Sequence, residues 1–566
     1  MLKKPTKSRF LMMSFSLLAV LMLVLNACGA SGATPSTGGG GSAVKGGTWI
    51  DDLYEEPDSL IPNASVETYA YMVMYGLYAP LVYGTPDGKY MPGIATQVPT
   101  VANGGVSADL KTFTFHLRPG LVWSDGQPLD ARDVDYTWKL WNNPKFPVYT
   151  NTAVADIASA DVSSDNMSIT FHLKNPLVSF VEFWTDGGYA PLPAHHFSSM
   201  DPGAITKSPD NLNPSVVSGP YMISEVKPGD HYTLVRNPKY YLASQGLPYL
   251  DKFVFRIVPD QNTILKDLQA GSTDSSWFLD VSKALAYERL SDYTVVADPN
   301  TYSFEALYFN FHNKVLANNT EVRQAMAMAV DQQTLIDVAR RGLAAKLCTE
   351  HTKTQNPGYQ AGLDCPQMHP PDINGANTLL KQHGWVMGSD GVYAKNGQRL
   401  EFQYSTTAGN LWRGDDQLIN QANFKKIGIK LNIMNYPAST FFGSILIDAK
   451  PGVYDIAEFA TANGYDPDDA PLWQCHNPSN LSYYCNPKMD DLLKQEQSSG
   501  DPNVRQQAFN SIHQLELTDW PAILEFAAPD VAIVKKGTHN YAPSAVGLGE
   551  TINLWQWWCD NGKCPA

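Results

Sequence analysis

The run TFTFHLRPGLVWSDGQPLDARDV, residues 112–134, holds a strand, a turn and a helix start in one short stretch. Phe113, Phe115 and Leu117 alternate with polar residues, so 112–118 reads as a half-buried strand. Pro119-Gly120 ends it. Asp130 suits a helix N-cap, and Val134, Thr137, Trp138 and Trp141 follow at helical spacing. A second run, SITFHLK over 168–174, puts Ile169, Phe171 and Leu173 on one face. The two runs resemble a repeat, but two strands paired in one sheet converge on the same alternation, and we read them that way.

Further along, Val322, Ala325, Met326, Ala329 and Val330 step as one apolar helix face. Thr320 is placed to cap this helix, and Arg340-Arg341-Gly342 to close it. Residues 376–383 and 418–426 predict helices stopped by Gly384 and Gly428, and an apolar strand over 429–434 follows the second. Helix, glycine, then strand is the α/β crossover pattern.

The chain has 566 residues. A single core stops growing at roughly 250–300 residues, so several domains are expected. With 43 % apolar and 17 % charged residues the composition is globular. The net charge of −15 leaves no basic surplus to displace counterions, which argues against nucleic acid as a partner. No GxSxG, Walker loop, GxGxxG or HExxH occurs. We therefore expect no catalytic residues, no cofactor and no metal.

The first 27 residues read as an export segment. Lys3, Lys4, Lys7 and Arg9 precede an apolar run over 10–27. Leu25-Asn26-Ala27-Cys28 resembles the bacterial lipobox, which makes Cys28 the expected lipidation site and the new first residue. An uncleaved membrane anchor is the alternative. Residues 28–45 are a Gly/Ser/Thr-rich linker, a flexible coil spanning about 20–25 Å. Six cysteines remain: Cys348, Cys365, Cys475, Cys485, Cys559 and Cys564. An even number in an exported chain predicts disulfides. Fifteen pairings are possible, and proximity favours 348–365, 475–485 and 559–564.

Several segments together resemble the bacterial extracellular solute-binding proteins of family 5, the peptide-type receptors of ATP-driven importers. The 112–134 run is close to that family's hallmark. Glu56-Pro57-Asp58-Ser59-Leu60, Ser218-Gly219-Pro220-Tyr221, the run 235–241 (VRNPKYY) and Val322-Arg323-Gln324-Ala325 match other family stretches in order. The resemblance implies a two-lobed, hinge-linked α/β fold of the periplasmic-binding-protein type, type II, with an extra inserted domain. Lobe I would take residues 46–75, 216–300 and 526–566, the insert 76–215, and lobe II 301–525. It also implies a peptide enclosed between lobes, permease subunits of an ABC transporter as partners, and a monomer held at the extracytoplasmic membrane face.

In peptide-binding relatives a second-lobe aspartate pairs with the ligand's α-amino group, three residues before a later aspartate. The matching stretch here is ANGYDPD, residues 462–468. It places Asn463 in that position, and a one-residue gap would place Asp466 there instead. Tyr465 and Trp473 flank this turn. Trp184 and Tyr189, Tyr302 and Phe304, and Asn410, Trp412 and Arg413 are further candidates for the cleft. Arg413 suits a bidentate contact to a ligand carboxylate. His195-His196 reads as a loop or helix start rather than a metal site, and Asp466-Pro467-Asp468-Asp469 as an acidic turn rather than a calcium loop. Stacked aromatics and a neutral Asn463 equally suit an oligosaccharide. A surface sensor using the same fold, or a secreted hydrolase, would be different classes.

Overall fold

The computed structural model describes residues 43–560 except 66, 149–151, 299–300, 438–439, 529, 545 and 547–548. The export segment, Cys28, most of the linker and Cys564 lie outside the described residues. No helix among the described residues is long and apolar enough to cross a membrane.

Two large sheets divide the body. The first has seven strands in the order Tyr293–Asp298, Asp530–Lys535, Ser275–Ser276, Thr48–Leu53, Lys252–Ile257, His231–Arg236 and Tyr221–Lys227. The second has five, in the order Lys430–Ile433, Glu401–Ser405, Ile456–Ala462, Ser303–Phe309 and Ala522–Ala527. The chain passes between the sheets twice, after Asp298 and after Ala527, and the two passages are tied together. Thr301 Oγ1 donates to the Ala528 carbonyl at 2.6 Å, and the Ala528 amide to the Ser303 carbonyl at 2.9 Å. The strand Ala522–Ala527 runs through the boundary expected at 525/526, so the chain leaves the second sheet only after it.

The 112–134 run folds as its pattern predicts. Thr112–His116 and Ser168–Leu173 are antiparallel neighbours, with Phe113 opposite Phe171 and Phe115 opposite Ile169, in a separate three-stranded sheet. Asp130 caps the helix Ala131–Trp141 through a capping box with Asp133. Asp133 is buried and does more. Its carboxylate accepts from Trp123 Nε1 at 3.2 Å, from the Asp130 amide at 3.0 Å and from the Ala194 amide at 2.9 Å. The small sheet does not own a core. Phe113, Phe171 and Trp184 belong to the same apolar cluster as Trp49 and Phe253 of the seven-stranded sheet.

The five-stranded sheet is covered on both faces, and every residue of Ser303–Phe309 is buried. Leu307 and Phe309 face one cluster, Phe304, Ala306 and Tyr308 the other. The single helix expected to run from Thr320 toward Arg340 is two helices, Thr320–Ala329 and Gln332–Ala339. Asp331 breaks the run by capping the second through the Thr334 amide, and Thr320 lies inside the first, after the N-cap Asn319. The second helix closes at Arg340, as expected, and Arg340 is buried there. The helix expected from 418 begins earlier, at Leu411, because Asn410 caps it. Disulfides join Cys348 to Cys365 and Cys475 to Cys485.

Candidate functional site

The strand Thr48–Leu53 lies inside the first sheet, parallel to Lys252–Ile257, and its carboxyl end carries Tyr54 and Glu55. Burial raises the Glu55 carboxyl above its ordinary range, and the Arg413 guanidinium of the second lobe pulls the other way. Behind it Glu67 is pushed up to about 8, first by burial and then by the charges of Asp58 and Glu55. This wall is acidic.

The facing wall is the start of the helix Leu411–Lys426. Asn410 spends its side chain on the cap, accepting from the Arg413 amide at 3.2 Å. Trp412 meets Phe278 of the first lobe edge-on, with ring centres 5.2 Å apart. Between the walls lies a cavity of about 260 Å³ whose lining includes Tyr54, Asp260, Asp280, Lys283, Leu411 and Trp412. Arg413 turns inward. Its Nε donates to Glu305 Oε1 at 2.9 Å, Nη2 to Oε2 at 3.3 Å and Nη1 to Thr407 Oγ1 at 3.0 Å. Arg340 pairs with Asp416 at 2.9 Å in the same buried network, where burial pushes Asp416 up to about 7. The Arg413 fork is thus committed to Glu305.

The turn after the strand Ile456–Ala462 meets the insert. The Tyr465 amide donates to Glu182 Oε1 at 2.6 Å and the Asp466 amide to Oε2 at 3.4 Å. Ser179 Oγ donates to Asp468 at 3.2 Å. The Tyr465 ring lies 5.9 Å from that of Tyr90, and its hydroxyl is 3.3 Å from Ser544 Oγ. Two glycines permit this closeness. A Cβ on Gly464 would stand 1.9 Å from Glu182 Oε1, and one on Gly84 2.1 Å from the Tyr465 ring. Burial raises the Glu182 carboxyl well above its usual range and Asp466 adds to the rise, against the two backbone donors.

The remaining candidates can now be placed. Asn463 donates from Nδ2 to the Glu350 carbonyl at 3.2 Å, and its amide to the Tyr302 carbonyl at 3.0 Å. Asp466 forms an ion pair with Arg505 at 2.5 Å. Tyr465, Asp466 and Tyr302 therefore lie at the contact between insert and second lobe, Asn463 is bonded within the second lobe, and Asn410, Trp412 and Arg413 lie across from Glu55. Trp184 is fully buried between Trp141 and Phe171, each at 5.4 Å, and Phe304 is equally buried. Trp473 is buried with Nε1 on Glu350 Oε1 at 3.1 Å. His195 and His196 sit in the short helix Ala194–Phe197, facing Asp125 at 2.9 Å and Asp210 at 3.1 Å. Arg118 donates from Nε to the Gly93 carbonyl at 2.7 Å. Sequence reasoning missed Tyr54, Glu55, Phe278 and Glu182. Glu182 carried a signal, one acid inside the apolar run Val178–Trp184.

The family model for bacterial extracellular solute-binding proteins, family 5, matches residues 89–483. The chain belongs to this family. Protein XP55 of Streptomyces lividans is 26 % identical over 507 residues, covering 87 % of this chain and 86 % of the relative. The oligopeptide-binding protein AppA of Bacillus subtilis is 23 % identical over 569 residues, covering 97 % of this chain and 98 % of AppA. The solved structure of AppA with a nonapeptide superimposes with a TM-score of 0.81 at 21 % identity, over 92 % of this chain and 100 % of that one. As a family 5 solute-binding protein the chain has the expected two-lobed α/β architecture, and the contacts above join its lobes.

Proposed function

We propose that this protein captures oligopeptides between its two lobes and delivers them, chemically unchanged, to the permease of an ABC importer. The observation that carries this reading is the cavity walled by Tyr54, Asp260 and Asp280 on one lobe and Trp412 on the other. Pockets favour such domain interfaces. The likeness to AppA over nearly the full length supports peptide as the ligand class. The body is a monomer, divided into lobe I at 46–75, 216–300 and 526–566, an insert at 76–215 and lobe II at 301–525. The second crossing falls just after Ala527. A lipidated Cys28 and the linker 28–45 hold it at the extracytoplasmic face of the cell membrane.

The contact of Glu182 with Tyr465 and Asp466 joins insert to second lobe, so it acts as the latch of the closed form. Neither turn residue offers a spare carboxylate for a peptide amine: Asn463 is neutral and Asp466 is held by Arg505. The countercharge comes from Glu55, on the opposite wall.

Mass spectrometry of protein extracted from membranes tests both halves. The intact mass should fit residues 28–566 plus acyl chains, and denaturation should release short peptides. Released oligosaccharides with no peptides would overturn the ligand class, and an uncleaved chain would overturn the anchor.

A further inference from the structure

Inside the second lobe, away from the cleft, His351 and His513 come together from segments 162 residues apart. His351 lies on the stretch stapled by Cys348–Cys365, and His513 on the helix Pro502–Asp519. His351 Nδ1 is 3.1 Å from His513 Nε2. The outer nitrogens face acceptors. His351 Nε2 is 3.4 Å from Asp469 Oδ1, and His513 Nδ1 is 3.2 Å from Gln360 Oε1. Glu350 joins them, with one ligand atom from each of the three residues lying within 4.8 Å of the others. Glu516, one helical turn after His513, presses its carboxylate against that of Glu350.

When the ring N–H groups point outward, to Asp469 and Gln360, two imidazole lone pairs face each other at 3.1 Å and leave one shared position between the rings. All four residues are buried, at 0 % exposure for Glu350, 2 % for His351, 0 % for His513 and 5 % for Glu516. Glu350 Oε2 meets no amide, hydroxyl or ring N–H donor, only the Glu516 carboxyl. The nearby cation, Arg505, is spent on Asp466 at 2.5 Å and Glu496 at 3.2 Å. Unpaired buried charge of this kind is expensive.

We propose that this pocket binds one zinc-class divalent cation, held by His351 Nδ1, His513 Nε2 and the Glu350 carboxylate. The cation sits between the two lone pairs and frees both outer N–H groups for Asp469 and Gln360, as ligating histidines usually require. Two imidazoles and one carboxylate suit a first-row divalent ion, whereas calcium and magnesium prefer oxygen alone. The site clamps the stapled stretch to the long helix. Asp469 carries the effect into the turn of Asn463, Tyr465 and Asp466, so the cation is structural and positions the latch.

Elemental analysis of the untagged full chain from zinc-replete medium should find about one equivalent of zinc. Protein stripped by a chelator and reloaded with Co²⁺ should show the visible ligand-field bands of a tetrahedral N/O site. His513→Gln should abolish those bands. Asp469→Asn, which keeps the fold's shape, should weaken Zn²⁺ binding about 10–100-fold. If His513→Gln does not fold, the wild-type cobalt spectrum and Asp469→Asn decide. A wild-type chain without metal or cobalt bands, bands that survive His513→Gln, or unchanged affinity in Asp469→Asn would overturn the site.

Discussion

Arg413 shows what one residue's surroundings do to its apparent chemistry. In sequence it follows a cap at a helix start and suits a ligand carboxylate. In the fold it is 7 % exposed and bonded to Glu305, 108 residues away on the middle of a sheet. Nothing local announces that partner, because strand order and not spacing brings Glu305 there. Glu55 is the reverse case. It lies one residue before the motif Glu56-Pro57-Asp58-Ser59-Leu60, and the end of a strand carries it, beside Tyr54, to where Arg413 of the second lobe acts on its charge. If Glu55 is the countercharge for a peptide amine, Glu55→Gln should weaken free peptides about tenfold or more, or about 1.4 kcal/mol. It should leave N-acetylated peptides nearly unchanged. Calorimetry with matched free and acetylated peptides checks this, and equal losses for both would remove Glu55 from that role.

At the scale of elements, the 112–134 run was legible because its signals are local. Alternation gave the strand, Pro119-Gly120 its end and Asp130 the helix start. What spacing did not reveal was the reach of Asp133, whose third donor lies at Ala194. The hierarchy can be measured. Asp130→Ala should cost about 1 kcal/mol, as for an ordinary N-cap. Asp133→Ala should cost more, about 3 kcal/mol or above, since it leaves Trp123 Nε1 and two amides unpaired where burial denies them water. Urea unfolding of the two variants gives the comparison, and equal midpoints would contradict it. The helix pair Thr320–Ala329 and Gln332–Ala339 was not legible as two. Its apolar step continues through Val330, and only the Asp331 side chain turning back to Thr334 breaks it. The metal pocket was wholly hidden, because its two histidines come from segments that meet only in the folded second lobe.

For the whole molecule, burial governs charge. Asp52, Asp186, Asp416, Asp530 and Glu550 are each pushed up to about 7, in each case mainly by burial. A raised carboxyl makes the folded state hold protons that the unfolded chain has lost. Such groups favour folding below about pH 4 and withdraw that support as pH rises through about 7. His351, pushed down to about 3 by burial, acts oppositely and costs stability as pH falls below about 6.5. Carboxyls outnumber it, so the thermal midpoint should be higher at about pH 5.5 than at about pH 8. A higher midpoint at about pH 8, in calorimetric scans, would contradict this balance.

The two-lobed form was legible from motifs in order along the chain, whereas the latch was not, since Glu182 and Tyr465 meet only when insert and second lobe are side by side. Capture should therefore mean closure around this contact. The most direct measurement is small-angle X-ray scattering of residues 46–566 during titration with a peptide pool, with the peptides recovered afterwards. Capture predicts that the radius of gyration falls with occupancy and that the peptides return intact. Peptides that bind without compaction, fail to bind at all, or come back cleaved would contradict it.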